Sequence, residues 1–129
     1  MNLAKKLIGY ILIFVDGNDS QGIQDTIASI VDIGEQDAMI EDIAGSLIRI
    51  LIGVPLPQPE LDQTMESIIR RLVNTIGPKV SIIYGATSCP VGIVGTEKRR
   101  AYTALIPKYR QILQHLVSMP AGAVEEWTA

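Results

Sequence analysis

The stretch of this chain that looks most like a ready-made site is DGNDSQGIQDTI, residues 16–27, which follows a long apolar run. A calcium-binding loop of this length needs oxygen ligands at positions 1, 3 and 5, a glycine at position 6 and a bidentate glutamate at position 12. Asp16, Asn18 and Ser20 fill the first three positions, but position 6 is Gln21 and position 12 is Ile27. The missing glutamate would have supplied two oxygen ligands and a negative charge. We therefore interpret the stretch as a turn that caps a helix.

Residues for nucleophilic or metal chemistry are scarce. His115 is the only histidine, and it lies among leucines late in the chain. Cys89 is the only cysteine, and its apolar context would raise the pKa of the thiol and leave it unreactive. One histidine and one cysteine make a zinc site only with the help of several carboxylates. We therefore predict no catalytic residue, no metal site, no cofactor, and a protein that is not an enzyme.

Basic residues concentrate in the second half of the sequence and are the strongest remaining signal. On a predicted fifth helix, Arg99 and Arg110 lie about 20° apart around the helix axis, and tyrosines lie between them. Such a stripe could meet a phosphate backbone or an acidic protein surface. The sequence pI near 5.0 favours the protein surface. The candidate nucleic-acid or partner contacts are Arg70, Arg71, Lys98, Arg99, Arg100, Lys108 and Arg110.

Composition and charge order limit the class of protein. Hydrophobic residues make up 47% of the chain and charged residues 19%, which excludes a disordered chain. A single cysteine excludes a scaffold held by internal disulfides. Residues 1–66 carry eleven acids and three bases, whereas residues 67–118 carry eight bases and one acid. The net charge of −3 therefore hides an acidic half (1–66), a basic half (67–118) and a short tail (119–129).

The spacing of apolar residues predicts helices along most of the chain. A break at GVPLPQPE, residues 53–60, follows the third of them, since proline is excluded from helix interiors. The pattern of residues 79–95 favours a short buried helix followed by a loop, with an extended arm as the second interpretation. The tail is predicted to be extended. The five predicted helices cover residues 3–15, about 20–34, 35–52, 61–76 and 96–118.

The N-terminal run MNLAKKLIGYILIFVDG imitates a short signal peptide but lacks a cleavage site of small residues. We interpret it as a first helix that is buried on all sides. No stretch reaches the roughly 18 consecutive apolar residues of a membrane span, so no transmembrane segment is predicted. The compartment stays open, with an intracellular or virion-type assembly as the expectation.

These observations predict an all-α fold in a single domain, residues 1–129. The expected architecture is an irregular bundle of about five helices with a proline-rich break after the third and an extended C-terminal tail. A first helix without a polar face would be buried between copies of the chain. The candidate subunit interface is Leu7, Ile8, Ile11, Leu12 and Phe14.

The predicted function is that of a non-enzymatic structural protein that self-associates, such as a coat, capsid or scaffold subunit. Opposite charges on the two halves favour head-to-tail contacts in a homo-oligomer. The alternative is a helical protein that binds nucleic acid through the basic stripe of the last helix. A third possibility is a small helical adaptor, or an enzyme without a recognisable motif. No small-molecule substrate is predicted.

Overall fold

A computed structural model of the chain describes residues 4–15, 20–34, 39–42, 46–52, 58–96 and 99–128. These residues form six strands, three α-helices and a 3-10 turn at Gly77–Lys79. The strands are β1 (Ala4–Val15), β2 (Met39–Asp42), β3 (Leu47–Ile52), β4 (Val80–Thr96), β5 (Arg99–Ala104) and β6 (Val124–Glu126). The helices are α1 (Ser20–Gly34), α2 (Gln58–Ile76) and α3 (Tyr109–Ser118).

All six strands belong to one sheet. Its order is β2-β3-β1-β4-β5, and β6 pairs with β4 outside this path. Every pairing on the path is antiparallel, whereas β6 runs parallel to β4. Strand β1 is central, since Gly9 lies opposite Ile52 of β3 on one side and Ala86 of β4 on the other.

The predicted all-α bundle is wrong, because the described chain is a mixed α/β fold. The predicted first helix is strand β1. A central strand covered on both faces is apolar at nearly every position, as a fully buried helix is, so periodicity alone does not separate the two. In β1, Ile11, Leu12 and Ile13 are all 0% exposed, although their side chains alternate between the two faces.

Two other predicted helices are also wrong. The segment from residue 35 to residue 52 contains strands β2 and β3, which pair with each other. The segment from residue 96 to residue 118 contains strand β5 and then α3, which begins only at Tyr109. Residues 80–96 form β4, so the extended interpretation holds there and the helical one does not. The isoleucine- and valine-rich sequences of β3 and β4 fit a pleated surface. Strand β5 has no isoleucine or valine and is held in the sheet by its pairing with β4.

Helices α1 and α2 confirm two of the predicted helices. Both are amphipathic and pack against the same face of the sheet, which we call the two-helix face. Ile27 of α1 and Leu72 of α2 are fully buried there against Ile13 and Ile50 of the strands. Burying an aliphatic side chain of this size stabilises a fold by about 1.5–3 kcal/mol. More side chains are buried in this layer than on the opposite face, so it forms the larger part of the core.

The opposite face, which we call the α3 face, is covered by α3 and the C-terminal segment. Ile112 and Leu116 of α3 pack on Ile8 and Leu12 of β1. At the rim of this face, Phe14, Leu47 and Leu113 are only partly buried, and Val117 is 53% exposed. One ten-residue helix thus leaves part of this face open. Within the described residues, no helix is both long and apolar enough to cross a membrane.

Candidate functional site

The predicted basic stripe is not a single helical stripe. Arg99 and Arg100 lie in strand β5, where they pair with Thr96 and Gly95 of β4. Arg110 lies on α3, a different element that packs over the α3 face. Lys98 lies outside the described residues. The assumed helical spacing between Arg99 and Arg110 is therefore wrong.

The remaining predicted basic contacts lie on opposite faces of the sheet. Arg70 and Arg71 are exposed on α2, and Arg70 Nη2 donates a hydrogen bond of 2.9 Å to Glu66 Oε1. Lys108 and Arg110 are exposed at the start of α3. The sheet separates the two pairs, so one ligand would contact one pair or the other.

The predicted subunit interface lies on central strand β1. Ile8, Ile11 and Leu12 are at most 2% exposed, and they pack inside the chain between sheet and helices. Leu7 and Phe14 are partly buried beside the same cores. Packing within the chain therefore accounts for the apolar character of the three buried residues. A contact between subunits through this set stays a prediction.

Three cations surround the beginning of α3, and we call Arg49, Lys108 and Arg110 the α3 basic surface. The guanidinium carbon of Arg49 lies 5.4 Å from the centre of the Tyr109 ring, a cation–π distance. Lys108 precedes the helix with φ 59°, a left-handed conformation that is rare for a residue with a side chain. Arg110 is exposed on the first turn.

The backbone at this helix start adds to the positive potential. No side chain caps α3 at Lys108, and the first bond of the helix runs from Ile112 N–H to Lys108 O. The N–H groups of the first turn therefore lack partners within the helix, which places a partial positive charge at its end. Lys108, Arg110 and this helix end together favour an anion, whereas Arg49 lies directly opposite Glu41 in the β2–β3 pairing.

A concave surface lies at the outer edge of β4, between α2 and the C-terminal segment. This β4-edge groove has a volume of about 710 Å³. Asp62 and Glu66 of α2 form one wall, Tyr84 and Ala86 of β4 the floor, and Glu126 of β6 the other wall. Trp127, the only tryptophan of the chain, also lines the groove.

Negative charge dominates the β4-edge groove. Burial raises the pKa of the Tyr84 phenol, and the nearby carboxylates of Glu126 and Glu66 raise it further. Glu126 lies directly opposite Tyr84 in the β4–β6 pairing, which explains their proximity. None of the described residues that line the groove is basic. The groove therefore suits a cation and disfavours a phosphate.

The C-terminal segment that forms one wall is fixed at several points. Ser81 Oγ donates to the carbonyl of Pro120 at 3.1 Å, and Gly122 N–H donates to Val80 O at 2.7 Å. Further along, His115 Nε2 lies 2.6 Å from Glu125 Oε2, which ties α3 to β6. The lone histidine thus has a structural partner in a carboxylate.

Cys89 is 1% exposed, and burial raises the pKa of its thiol. A thiol with a raised pKa is less available as a nucleophilic thiolate near neutral pH. Among the residues that the structure describes, no three histidine, cysteine, aspartate or glutamate side chains lie close enough to hold a metal ion. The calcium-loop positions Asp16 and Asn18 lie outside the described residues.

Sequence reasoning missed Arg49 and the groove. Arg49 is the one base in the strand LIRILI, and its position among alternating apolar residues could have marked it as a side chain at the rim of a sheet. The groove brings Asp62 and Glu66 together with Glu126, which follows them in the sequence by 64 and 60 residues. The sequence carried no signal for that proximity, because it depends on the parallel addition of β6 to β4.

Comparison with known proteins gives a consistent structural result. No protein-family model matches the sequence, and no curated protein matches it. Solved structures of nucleotide cyclases do match in fold. The monomeric guanylyl cyclase domain of the RhoGC fusion protein from the aquatic fungus Blastocladiella emersonii is similar with a TM-score of 0.70 and 7% identity, over 96% of this chain and 82% of that one.

Two further solved structures support the same fold. The guanylate cyclase domain of RhGC from Catenaria anguillulae, in complex with GTP, has a TM-score of 0.66 and 8% identity, over 92% of this chain and 76% of that one. The adenylyl cyclase CyaB from P. aeruginosa has a TM-score of 0.58 and 12% identity, over 96% of this chain and 78% of that one. At these identities the likeness is one of fold.

The cyclase-like fold corrects the predicted function. A coat, capsid or scaffold subunit built as a helical bundle is wrong, since the chain has a mixed α/β fold that is shared with enzyme domains. The prediction that the chain is not an enzyme is contradicted by the same likeness. Nothing in this fold supports binding of nucleic acid, and the expected lack of a small-molecule substrate is at odds with it.

Proposed function

We propose that this chain is a nucleotide-cyclase-type domain that binds a purine nucleoside triphosphate at the α3 basic surface. The observation that carries the proposal is a fold likeness to guanylyl and adenylyl cyclases over 92–96% of the chain. One of these similar domains was solved in complex with GTP, which identifies the ligand class to test first.

The α3 basic surface is the part of the described chain whose charge suits a triphosphate. Arg49, Lys108 and Arg110 surround a helix start whose N–H groups have no side-chain cap. The N–H groups at the start of this ten-residue helix have no side-chain cap, so this end of the helix favours an anion. Neighbouring cations strengthen that preference. The β4-edge groove offers three carboxylates instead, so it would repel the same ligand.

The reaction that we propose is ring closure of the bound triphosphate. The 3′-hydroxyl oxygen of the ribose attacks the α-phosphorus, the bond from that phosphorus to the β-phosphate bridging oxygen breaks, and pyrophosphate leaves as the hydroxyl proton passes to solvent. Cations that contact the leaving phosphates would stabilise the charge that develops on them. Lys108 and Arg110, which are both exposed, are the residues to which we assign this contact.

We further propose that the chain acts as a homo-oligomer. The guanylyl cyclase domain of RhoGC has been solved both as a dimer and as a monomer, so this fold is compatible with either state. On this chain the α3 face carries the partly buried side chains of Phe14, Leu47 and Leu113 at its rim. A second copy that covers this rim would remove apolar surface from water.

Calorimetric titration with GTP and with ATP, each in the presence of Mg²⁺, tests the proposed binding. We expect saturable binding that the double variant Lys108→Glu/Arg110→Glu weakens by tenfold or more, about 1.4 kcal/mol, because two attractive charges become repulsive. Arg71→Glu is the matched control, since it reverses an equally exposed base on α2, across the sheet. It should leave the affinity within about twofold, a change of about 0.4 kcal/mol.

Mass spectrometry of the same mixtures detects a cyclic product and pyrophosphate, and light scattering gives the molecular mass with and without nucleotide. No binding of either nucleotide at millimolar concentration would contradict the proposal, and so would equal weakening by the α3 and α2 variants. If the monomeric and the oligomeric fractions both bind nucleotide saturably and neither forms a cyclic product, the chain binds nucleotide but does not cyclise it.

A further inference from the structure

The outer edge of β4 is paired at both ends but open between them. One side of β4 pairs with β1 over twelve consecutive residues, from Val80 to Val91, without interruption. On its outer side, β6 pairs with residues 82–84, and β5 pairs with residues 91–96. Among the described residues, no strand pairs with the outer side of residues 85–90.

The continuous register identifies which groups face outward in this gap. Ile82 N–H donates to Ala123 O, Trp127 N–H donates to Tyr84 O, and Leu105 N–H donates to Pro90 O. Backbone groups of alternate residues point to the same side of a strand, so the even-numbered residues face outward. Ala86 and Ser88 therefore present their N–H and C=O groups at the open edge.

The open edge has the dimensions of a short strand site. Five residues lie between Tyr84 and Pro90, and the six steps of extended chain that join these two residues span about 20 Å. Trp127 and Thr128 lie beside the Gly85 end of this stretch. Ala86 and Ser88 are both exposed, and no backbone hydrogen bond links either of them outward to a described residue. An added strand of three or four residues could form about four backbone hydrogen bonds there, the mode of recognition called β-augmentation.

The surrounding charges specify what kind of strand would be favoured. Ala86 also forms the floor of the β4-edge groove, beneath the carboxylates of Asp62 and Glu66 and beside that of Glu126. All three acids are exposed, and Glu66 shares its charge with Arg70 through a 2.9 Å ion pair. Even with that pair, no base lines the groove among the residues described.

We propose that the β4-edge groove binds an extended, basic peptide segment of a partner protein, which adds as a strand beside Ala86 and Ser88. Backbone hydrogen bonds would supply affinity without regard to sequence, and lysine or arginine side chains on the α2 side would face the three carboxylates. The proposal is independent of nucleotide binding, because the groove lies at the edge of β4 and none of the residues of the α3 basic surface lines it.

The test uses the intact chain and synthetic seven-residue peptides. The probe alternates threonine or valine with lysine (acetyl-TKVKVKT-amide), its acidic counterpart replaces lysine with glutamate, and a third peptide carries lysine but is N-methylated at alternate amides. None of them contains an aromatic residue. Emission from Trp127, the only tryptophan, therefore reports on the C-terminal segment that lines the groove, although the Trp127 ring itself packs on the α3 face, 6.0 Å from the His115 ring.

We expect the lysine peptide to shift the Trp127 emission saturably and to bind at least tenfold more tightly than the glutamate peptide, about 1.4 kcal/mol. N-methylation should remove binding, because it blocks the strand hydrogen bonds but keeps every charge. The double variant Asp62→Lys/Glu126→Lys should weaken the lysine peptide by about tenfold. Glu60→Lys is the matched control, since this exposed acid on the same helix does not line the groove.

Three results would overturn the proposal. Equal binding of the lysine and glutamate peptides would remove the charge preference, and undiminished binding of the N-methylated peptide would show attraction without strand addition. No binding of the lysine peptide would exclude the basic segment. If that last result came with self-association that Ser88→Pro abolished, the edge would instead join two copies of this chain.

Discussion

The two faces of the sheet differ in how completely helices cover them. On the two-helix face, α1 and α2 together provide a layer in which Ile23, Ile27, Leu61 and Leu72 are at most 4% exposed. On the α3 face, one ten-residue helix and the C-terminal segment cover the sheet, and the rim residues Phe14 and Leu47 are only partly buried, while Val117 is 53% exposed. The first face is closed, whereas the second is open along its rim.

The difference in helix cover indicates which face contributes most to stability and which face can bind a ligand. The apolar layer of the two-helix face contributes most of the folding free energy, and the groove on that side lies at the edge of β4 rather than within the layer. An open rim leaves charged side chains such as Arg49 and Lys108 beside a helix start, where they can meet a ligand. We therefore expect substitutions on the two-helix face to change stability most, and substitutions at the α3 rim to change binding most.

The largest effect is expected from Ile11→Asp, on central strand β1. Ile11 is 0% exposed in the two-helix core, so the variant buries a charge without a partner. We expect a loss of about 4 kcal/mol or more, enough to unfold most of the chain, as seen by circular dichroism and urea titration. Lys5→Asp is the control, since Lys5 is exposed on the same strand. A folded Ile11→Asp chain of smaller mass would indicate instead that this position lies between subunits.

One substitution on each face compares the faces directly, and we expect smaller losses of stability from these two than from Ile11→Asp. Leu72→Ala removes a fully buried side chain from the two-helix face, and we expect the free energy of unfolding to fall by about 2–5 kcal/mol. Val117→Ser on the α3 helix should change it by no more than about 0.5 kcal/mol, because this side chain is already half exposed. Urea titration measures both. A Val117→Ser loss as large as that of Leu72→Ala would mean that a partner or a second copy covers the α3 rim.

The smallest expected effect is a dependence of stability on alkaline pH. Burial raises the pKa of the Tyr10 phenol on the α3 face above its usual 10.0, and the nearby Cys89 raises it further. Above pH 10 the unfolded chain therefore loses this proton first, so stability is complete below pH 10 and falls as the pH rises toward the folded pKa.

Tyr10→Phe removes this titration, and urea titrations between pH 8 and 11 should show a shallower alkaline loss of stability than in the unsubstituted chain. Some loss should remain, because burial also raises the pKa values of Tyr84 and Cys89. An unchanged slope would show that the Tyr10 hydroxyl is not protected from ionisation in the folded state.

Periodicity predicts α1 and α2 correctly and fails for the strands, including β5, whose sequence RRAYTA is partly polar. Helices α1 and α2 were correct because their exposed faces reveal the 3.6-residue repeat. Strand β1 is covered on both faces, and its near-continuous apolar sequence predicts a buried helix equally well. The error in β1 then propagated, because without a sheet the β-branched segments at β3 and β4 had no partner to pair with.

The residues of the candidate sites also divide into those that the sequence alone indicates and those that only the fold brings together. Lys108 and Arg110 stood out as charges close together in the sequence. Arg49 joins them only through the packing of α3 over the sheet, which places Tyr109 beside a strand residue that is 60 positions earlier. The carboxylates of the β4-edge groove likewise meet only because β6 returns to β4. Long-range pairing of this kind leaves no local pattern in one sequence.

Amide NMR during a titration with GTP and Mg²⁺ tests the central claim most directly, because it reports on both faces of the sheet in one experiment. The account predicts saturable shifts at Arg49 and around Lys108 and Arg110, with α2 unchanged. Shifts confined to α2 or to the β4-edge groove, or no shift at millimolar GTP, would contradict a nucleotide site on the open α3 face.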